Sequence, residues 1–108
     1  MNNLLALRCK PQAGSPMTDA EIEARMPSVP GWARVGNAIE RSFKFANFHE
    51  TMAFVNALAW VCHCEDHHPE LRVSYGRCVI RFDTHSVGGL SINDFICAAK
   101  ANALVVDS

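Results

Sequence analysis

Two stretches of the chain alternate apolar and polar residues, as strands with one buried face do. The first covers residues 32–45 and contains the turn signal Gly36-Asn37. The second covers residues 71–82, includes Tyr75 among its apolar positions, and turns at Gly76-Arg77. The alternation therefore predicts two β-hairpins.

Three further segments carry apolar residues at helical spacing, and each begins with a residue pair that can cap a helix. The pairs are Thr18 with Glu21, Asn47 with Glu50, and Ser91 with Asp94. Pro69 disfavours helical dihedral angles at His68, so we expect the long central helix to end at about His67. Both histidines would then lie at the helix C-terminus, where the helix dipole stabilises an imidazolium by ~0.3–1 kcal/mol.

The order helix, hairpin, long helix, hairpin, helix predicts an α+β fold, a four-stranded antiparallel sheet with helices packed on one face. Residues 9–17 combine helix breakers and small residues, so we expect a flexible leader over residues 1–17 and one domain over residues 18–108. Apolar residues around Trp60 widen the apolar surface of the long helix, and we expect part of that surface to contact another subunit.

The composition fits a single globular protein of 108 residues, with 49% hydrophobic and 19% charged residues. A net charge of -1 gives no electrostatic basis for direct binding to nucleic acid or to an anionic membrane. The sequence shows neither a secretory signal nor an apolar run long enough for a membrane span. We expect a cytoplasmic protein whose five cysteines are reduced thiols.

Most of the side chains that are candidates for proton transfer are histidines. His67 and His68 are adjacent, His85 follows the last strand, and Asp94 lies in the first turn of the last helix. An unperturbed histidine changes charge near pH ~6.5, so this set can supply both an acid and a base. Simpler interpretations exist for each, because the pair can merely close a helix, His85 can be a surface residue, and Asp94 can be only a cap. Asp94 could equally hold His85 or a cationic substrate.

A metal site is not expected. His63 and His67 would share a helix face, but Cys64 occupies the position where a zincin helix has glutamate. Cys62 and Cys64 would diverge on a helix, so they do not form a zinc clamp. The sequence also lacks phosphate-binding glycine loops and serine-esterase elbows, so nucleotide hydrolysis and esterase chemistry have no support.

The spacing of the candidate residues resembles that of the pterin-4a-carbinolamine dehydratase family. His67-His68-Pro69 is followed by five residues to Tyr75, by nine more to His85 and by eight more to Asp94. Each interval fits the family pattern. Family members also share a Thr-x-x-Glu-Ile start, a tryptophan that opens the first strand and a Gly-Leu-Ser approach to the aspartate, here at residues 18–22, 32 and 89–91. The resemblance therefore extends over residues 18–105.

The chain departs from this family at two positions, and its leader departs at a third. His63 stands where the family has an acidic residue, and Glu65 is two residues away. Asn93 stands where some members have a basic residue, so contacts to the substrate side chain are expected to differ. From Cys9 onward the leader resembles the Cys-x-Pro-Cys-x-Gly leader of bacterial members. Gln12 replaces the second cysteine of that pattern, so a metal site in the leader has no support.

The resemblance implies that the chain dehydrates 4a-hydroxytetrahydrobiopterin, formed by an aromatic amino acid hydroxylase, to quinonoid dihydrobiopterin and water without a cofactor. It implies that His67 and His68 are the acid and the base and that His85 assists them from across the pocket. Asp94 would orient His85 or the pterin, and Pro69 would fix the geometry where the helix ends. Tyr75 would help to wall the site, and His63 would lie near the substrate.

The resemblance also implies partners and alternatives. Family members form homodimers and homotetramers through the long helix. Other members act as dimerisation partners of transcription factors, and degenerate relatives assist the assembly of other enzymes, so a non-catalytic role on the same fold is the alternative. A second alternative is a dehydratase that serves molybdopterin metabolism. The intact histidine pair favours the enzyme, because the degenerate relatives lack that pair.

Overall fold

The structure is a computed structural model that describes residues 3–105. Within these residues the helices and strands are α1 (Asp19–Arg25), β1 (Ala33–Val35), β2 (Ala38–Lys44), α2 (Phe48–Glu65), β3 (Glu70–Ser74), β4 (Arg77–Phe82) and α3 (Ile92–Ala103). None of the helices in this part of the chain is long and apolar enough to cross a membrane.

The four strands form one antiparallel sheet in the order β1-β2-β4-β3. Its register places Ile39 opposite Phe82, and both side chains are buried. One position further along the same strands, Glu40 lies opposite Arg81 on the other face, where their side chains form an ion pair at 3.6 Å. Because side chains alternate between the faces of a sheet, one face is apolar and the other charged. Helix α2 packs against β3, β4 and α3, and the predicted α+β fold is confirmed.

The predicted capping pairs begin all three helices. Thr18 accepts a hydrogen bond from the amide of Glu21 at 3.2 Å, and the Glu21 carboxylate accepts one from the amide of Thr18 at 2.8 Å. Asn47 caps α2 through its side-chain oxygen, and Ser91 caps α3 with a second reciprocal box. These local signals were sufficient to locate the helix starts because each cap satisfies an otherwise unpaired amide within one turn.

Helix α2 ends at Glu65, two residues before the predicted end at His67. Asp66 has left-handed dihedral angles with φ 53°, and the His67 amide donates a hydrogen bond to the Cys62 carbonyl at 3.1 Å. This arrangement closes the helix and turns the chain before the proline is reached. His67 and His68 therefore follow the C-terminal end of the helix directly, and the helix itself ends two residues earlier than the sequence predicted.

The turn of the second hairpin also differs from the prediction. It consists of Tyr75 and Gly76, so Tyr75 leaves the strand and Arg77 begins β4. The reason is a close approach of two backbones, since a Cβ on Gly76 would lie 2.9 Å from the Phe45 carbonyl oxygen. The tyrosine carbonyl accepts a hydrogen bond from Thr51 at 2.9 Å, and its side chain is 67% exposed.

Residues 3–17, for which the sequence predicts a flexible leader, lie along the domain. Leu4 is buried in a short 3₁₀ turn, and the Met17 amide donates a hydrogen bond to the Leu90 carbonyl at 2.8 Å. Between these ends, the leader crosses the C-terminal end of α2 and the first turn of α3. It thereby reaches the region of the paired histidines.

Candidate active site

Three chain segments and one helix residue line a cavity of about 460 Å³. The segments are residues 9–12 of the leader, residues 65–68 at the end of α2, and residues 83–86 after β4, and the helix residue is Asn93. The fold brings these segments together because α2 and β4 both end at the side of the domain where α3 begins. His67, His68 and His85, which the sequence selected, all line this one cavity.

His67 has the most constrained side chain of the three. Its Nε2 lies 2.6 Å from Asp94 Oδ1, and the two side chains are only 11% and 0% exposed. Its ring stacks on Phe82 with 5.7 Å between centroids and 10° between planes. The carboxylate and the aromatic ring together fix the orientation of the imidazole and leave Nδ1 as its second polar atom.

Asp94 combines two of the interpretations that its sequence position allowed. Its Oδ2 accepts hydrogen bonds from the Ser91 amide at 2.9 Å and from Thr84 Oγ1 at 2.7 Å, so the carboxylate is a cap of α3. Its other oxygen contacts an imidazole, that of His67, whereas the sequence had offered His85 or the substrate as its partner. Thr84, which the sequence did not single out, also bonds the Ser91 hydroxyl at 2.7 Å.

His68 and His85 are exposed on the cavity wall, which leaves their side chains accessible to a ligand. His85 begins a short 3₁₀ turn over His85–Val87. The Thr84 amide before it donates a hydrogen bond to the Gly89 carbonyl at 2.7 Å, which closes the loop that carries His85. One oriented imidazole and two accessible ones therefore face the same space, an arrangement that can both deliver and accept a proton.

The other predicted site residues lie elsewhere among the described residues. His63 is on the exposed side of α2, and its ring lies against that of Trp60 with 5.4 Å between ring centroids and a tilt of 33° between their planes. It does not share a helix face with His67, because α2 ends before His67. Pro69 is half-buried directly before β3, and neither it nor Tyr75 lines the cavity.

Glu65 lines the cavity, and the sequence had offered it only as a carboxylate two positions from the family's acidic residue. Burial alone would raise the pKa of its carboxyl group. Hydrogen bonds from Lys100, from the Cys9 amide and from Arg8, with the charge of Lys100, outweigh burial and lower that pKa to about 2. The Lys100 and Arg8 nitrogens lie 2.7 and 2.9 Å from the carboxylate. Arg8, Cys9 and Lys100 are distant in sequence, so no local pattern could indicate them.

No group of three or more histidine, cysteine, aspartate or glutamate side chains within residues 3–105 is arranged to hold a metal ion. The cavity instead contains imidazoles, a carboxylate bound to two cations, and hydroxyl and amide groups. Such groups can hold a polar ligand by hydrogen bonding, and imidazoles are side chains that can transfer protons near neutral pH.

Comparison with known proteins identifies the family of the chain. The profile of the family described as "Pterin 4 alpha carbinolamine dehydratase" matches residues 15–104. The chain belongs to the pterin-4-alpha-carbinolamine dehydratase family. A Chromobacterium violaceum relative, named provisionally as a dehydratase of this family, is 53% identical, with 94% of this chain and 95% of the relative covered. A Stenotrophomonas maltophilia relative with the same name is 55% identical, with 94% and 90% covered.

Two solved structures show the same fold. The "transcriptional coactivator/pterin dehydratase" of Brucella melitensis is 34% identical and superposes with a TM-score of 0.80, covering 83% of this chain and 98% of its own. A pterin dehydratase-like protein identified as a RuBisCO assembly factor of the alpha-carboxysome has a TM-score of 0.63 at 24% identity, with 75% and 96% covered. The second likeness concerns the fold alone.

Proposed function

We propose that the chain dehydrates 4a-hydroxytetrahydrobiopterin to quinonoid dihydrobiopterin and water by histidine acid–base catalysis. One observation carries this proposal: His67, held 2.6 Å from the fully buried Asp94, lines the same cavity as His68 and His85. A pterin carbinolamine needs one group that accepts a proton and another that donates one, and three imidazoles meet that need without a cofactor.

In the proposed reaction, one imidazole accepts the proton from N5 of the pterin. The electron pair of that N–H bond forms the double bond between N5 and C4a, while the bond from C4a to oxygen breaks. A second imidazole delivers a proton to the departing hydroxyl group, which leaves as water. His67 and His68 take these two roles, with the division set by the face of C4a that carries the hydroxyl, and His85 assists from the opposite segment.

The test is turnover of chemically generated 4a-hydroxytetrahydropterin by the purified protein. His68→Ala and His85→Ala are each expected to lower kcat by about 10²-fold or more, the usual contribution of a positioned acid or base. His49→Ala is the matched control, because His49 is exposed in the first turn of α2 and does not line the cavity. Wild-type turnover no faster than the spontaneous reaction would refute the proposal.

The alternative is a non-catalytic role in regulation or assembly. It is supported by the fold, because a protein with this fold has been identified as a RuBisCO assembly factor and fold alone does not determine activity. The same turnover assay separates the two functions. An assembly or regulatory protein would be as inactive as its His68→Ala variant, whereas the dehydratase loses activity on that substitution.

Self-association through α2 completes the proposal. Trp60 is 67% exposed and Phe48 is 48% exposed on this helix, which is more apolar surface than one solvated helix normally presents. A second copy of the chain is the proposed partner that covers this apolar surface.

An aromatic amino acid hydroxylase is the proposed source of the carbinolamine, since such an enzyme forms the 4a-hydroxyl group.

A further inference from the structure

We propose that residues 8–12, here called the strap, form a wall of the pterin site, and that Glu65 and Asn93 are positioning residues that hold the strap in place. The inference deepens the proposed function and rests on it. The family profile begins at residue 15, so the strap lies outside the region by which the family is recognised.

Glu65 holds the first part of the strap. Its Oε1 accepts a hydrogen bond from the Cys9 amide at 2.8 Å, and its Oε2 pairs with Arg8 Nε at 2.9 Å. The carboxylate side chain is only 4% exposed and is also bound by Lys100 of α3. A buried carboxylate with several charge-assisted contacts is a rigid attachment point, because each contact weakens if the strap moves away.

Asn93 holds the middle of the strap. Its Oδ1 accepts a hydrogen bond from the Lys10 amide at 3.1 Å, and its Nδ2 donates one to the Lys10 carbonyl at 2.7 Å. One side-chain amide therefore satisfies both backbone polar groups of a single leader residue, as a neighbouring strand would. Asn93 is 6% exposed, so little water competes for these bonds. Next to it, Cys9 Sγ lies 3.6 Å from Cys97 Sγ of the same helix.

The far end of the strap is attached beside the third histidine. Ser86 Oγ donates a hydrogen bond to the Gln12 carbonyl at 2.8 Å, and Ser86 directly follows His85. The strap thus runs from Glu65, two residues before His67, to the segment that carries His85. Its residues Lys10 to Gln12 line the cavity between the two histidine segments.

The attachment of the strap is separate from the contact that orients His67, so substrate binding and the catalytic step can be disturbed independently. The contact between His67 and Asp94 does not involve the strap, so releasing the strap leaves that histidine oriented. The wall against which the pterin lies is lost, however. Releasing the strap should therefore raise KM more than it lowers kcat.

The experiment uses the full chain with Asn93→Leu, which removes both bonds to Lys10 at similar volume, and Ser86→Ala, which removes the bond to Gln12. Ser42→Ala is the matched control, since Ser42 is exposed on β2 and does not line the cavity. Hydrogen exchange of the Cys9 and Lys10 amides reports strap attachment without any assay of activity. Steady-state kinetics with the carbinolamine report the wall.

We expect faster exchange at Lys10 in Asn93→Leu, with KM raised about tenfold and kcat changed much less. Ser86→Ala should raise KM about threefold and keeps the test open if Asn93→Leu fails to fold. Unchanged exchange would show that Asn93 does not hold the strap, and faster exchange with unchanged KM would show that the strap is not a wall. Either result overturns the proposal.

The proposal about the strap can also be tested independently of the proposed reaction. If the wild type does not turn over the carbinolamine, calorimetric affinity for a stable tetrahydropterin replaces KM. Weaker binding by Asn93→Leu than by Ser42→Ala would then support the strap although the reaction had been refuted. A wild type that neither turns over nor binds a tetrahydropterin would refute both.

Discussion

At the scale of single residues, Asp94 has both of its carboxylate oxygens engaged in different tasks. Oδ2 accepts bonds that begin α3, and Oδ1 contacts His67. A helix cap normally faces solvent at a helix end, but this one is fully buried beneath the cavity. The consequence is that a substitution here disturbs folding and the proposed chemistry together, and a paired variant is needed to separate the two effects.

Asp94→Asn is expected to lower the free energy of unfolding by about 1–3 kcal/mol and turnover by about 10²-fold, because one amide cannot accept all three bonds. Ser91→Ala also weakens the cap of α3, by about 1 kcal/mol, but leaves the contact to His67 in place. Its turnover should match the wild type. Urea unfolding and steady-state kinetics provide the measurements, and equal losses of turnover in the two variants would contradict this assignment.

Glu65 should make stability depend on pH in the acid range. The pKa of its carboxyl is lowered in the folded protein from 4.5 to about 2, so its contribution is complete above the higher value and disappears as the pH falls towards the lower one. A shift of this size corresponds to about 3 kcal/mol. The difference in unfolding free energy between wild type and Glu65→Gln should be largest above pH 4.5 and should shrink below it. Urea unfolding at a series of pH values measures that difference, and a constant difference would contradict the prediction.

At the scale of elements, the sequence predicted what neighbouring residues determine. Capping pairs such as Thr18 with Glu21 act within one turn, and the alternation of β2 and β4 reflects one buried face. The end of α2 was misplaced because Pro69 is visible in the sequence, whereas the left-handed conformation of Asp66 is not. The strap contacts were missed for another reason, since residues 56 to 88 positions apart meet only in the folded chain.

Asp66 gives a direct test of how α2 ends. A non-glycine residue at φ 53° carries a steric penalty that glycine avoids, so Asp66→Gly should stabilise the protein by about 0.5–1 kcal/mol. Asp66→Val should destabilise it by about 1–2 kcal/mol, because a β-branched side chain is strained there. Calorimetric Tm values of both variants decide the matter. A lower Tm for the glycine variant would mean that the aspartate side chain contributes more than its backbone strain costs.

At the scale of the whole molecule, the exposed apolar surface of α2 predicts an assembly larger than one chain. Trp60→Asp places a charge at the most exposed aromatic position of that helix and should reduce the mass in solution while the circular dichroism spectrum is retained. Val35→Asp is the control, because Val35 is also exposed but lies on β1. Light scattering measures the mass. A wild type that is monomeric at micromolar concentration, or an equal effect of both substitutions, would refute the proposed interface.

The double engagement of Asp94 also affects how sequences of this fold can be compared. A relative that has lost catalysis would still need a carboxylate there to begin its last helix and to satisfy the Ser91 amide. Selection for folding alone can therefore preserve this aspartate in a protein with no enzymatic role. The side chain of His67 caps neither α2 nor α3, and His85 is exposed. The histidines, rather than the aspartate, are the positions at which a loss of activity would become visible in a genome.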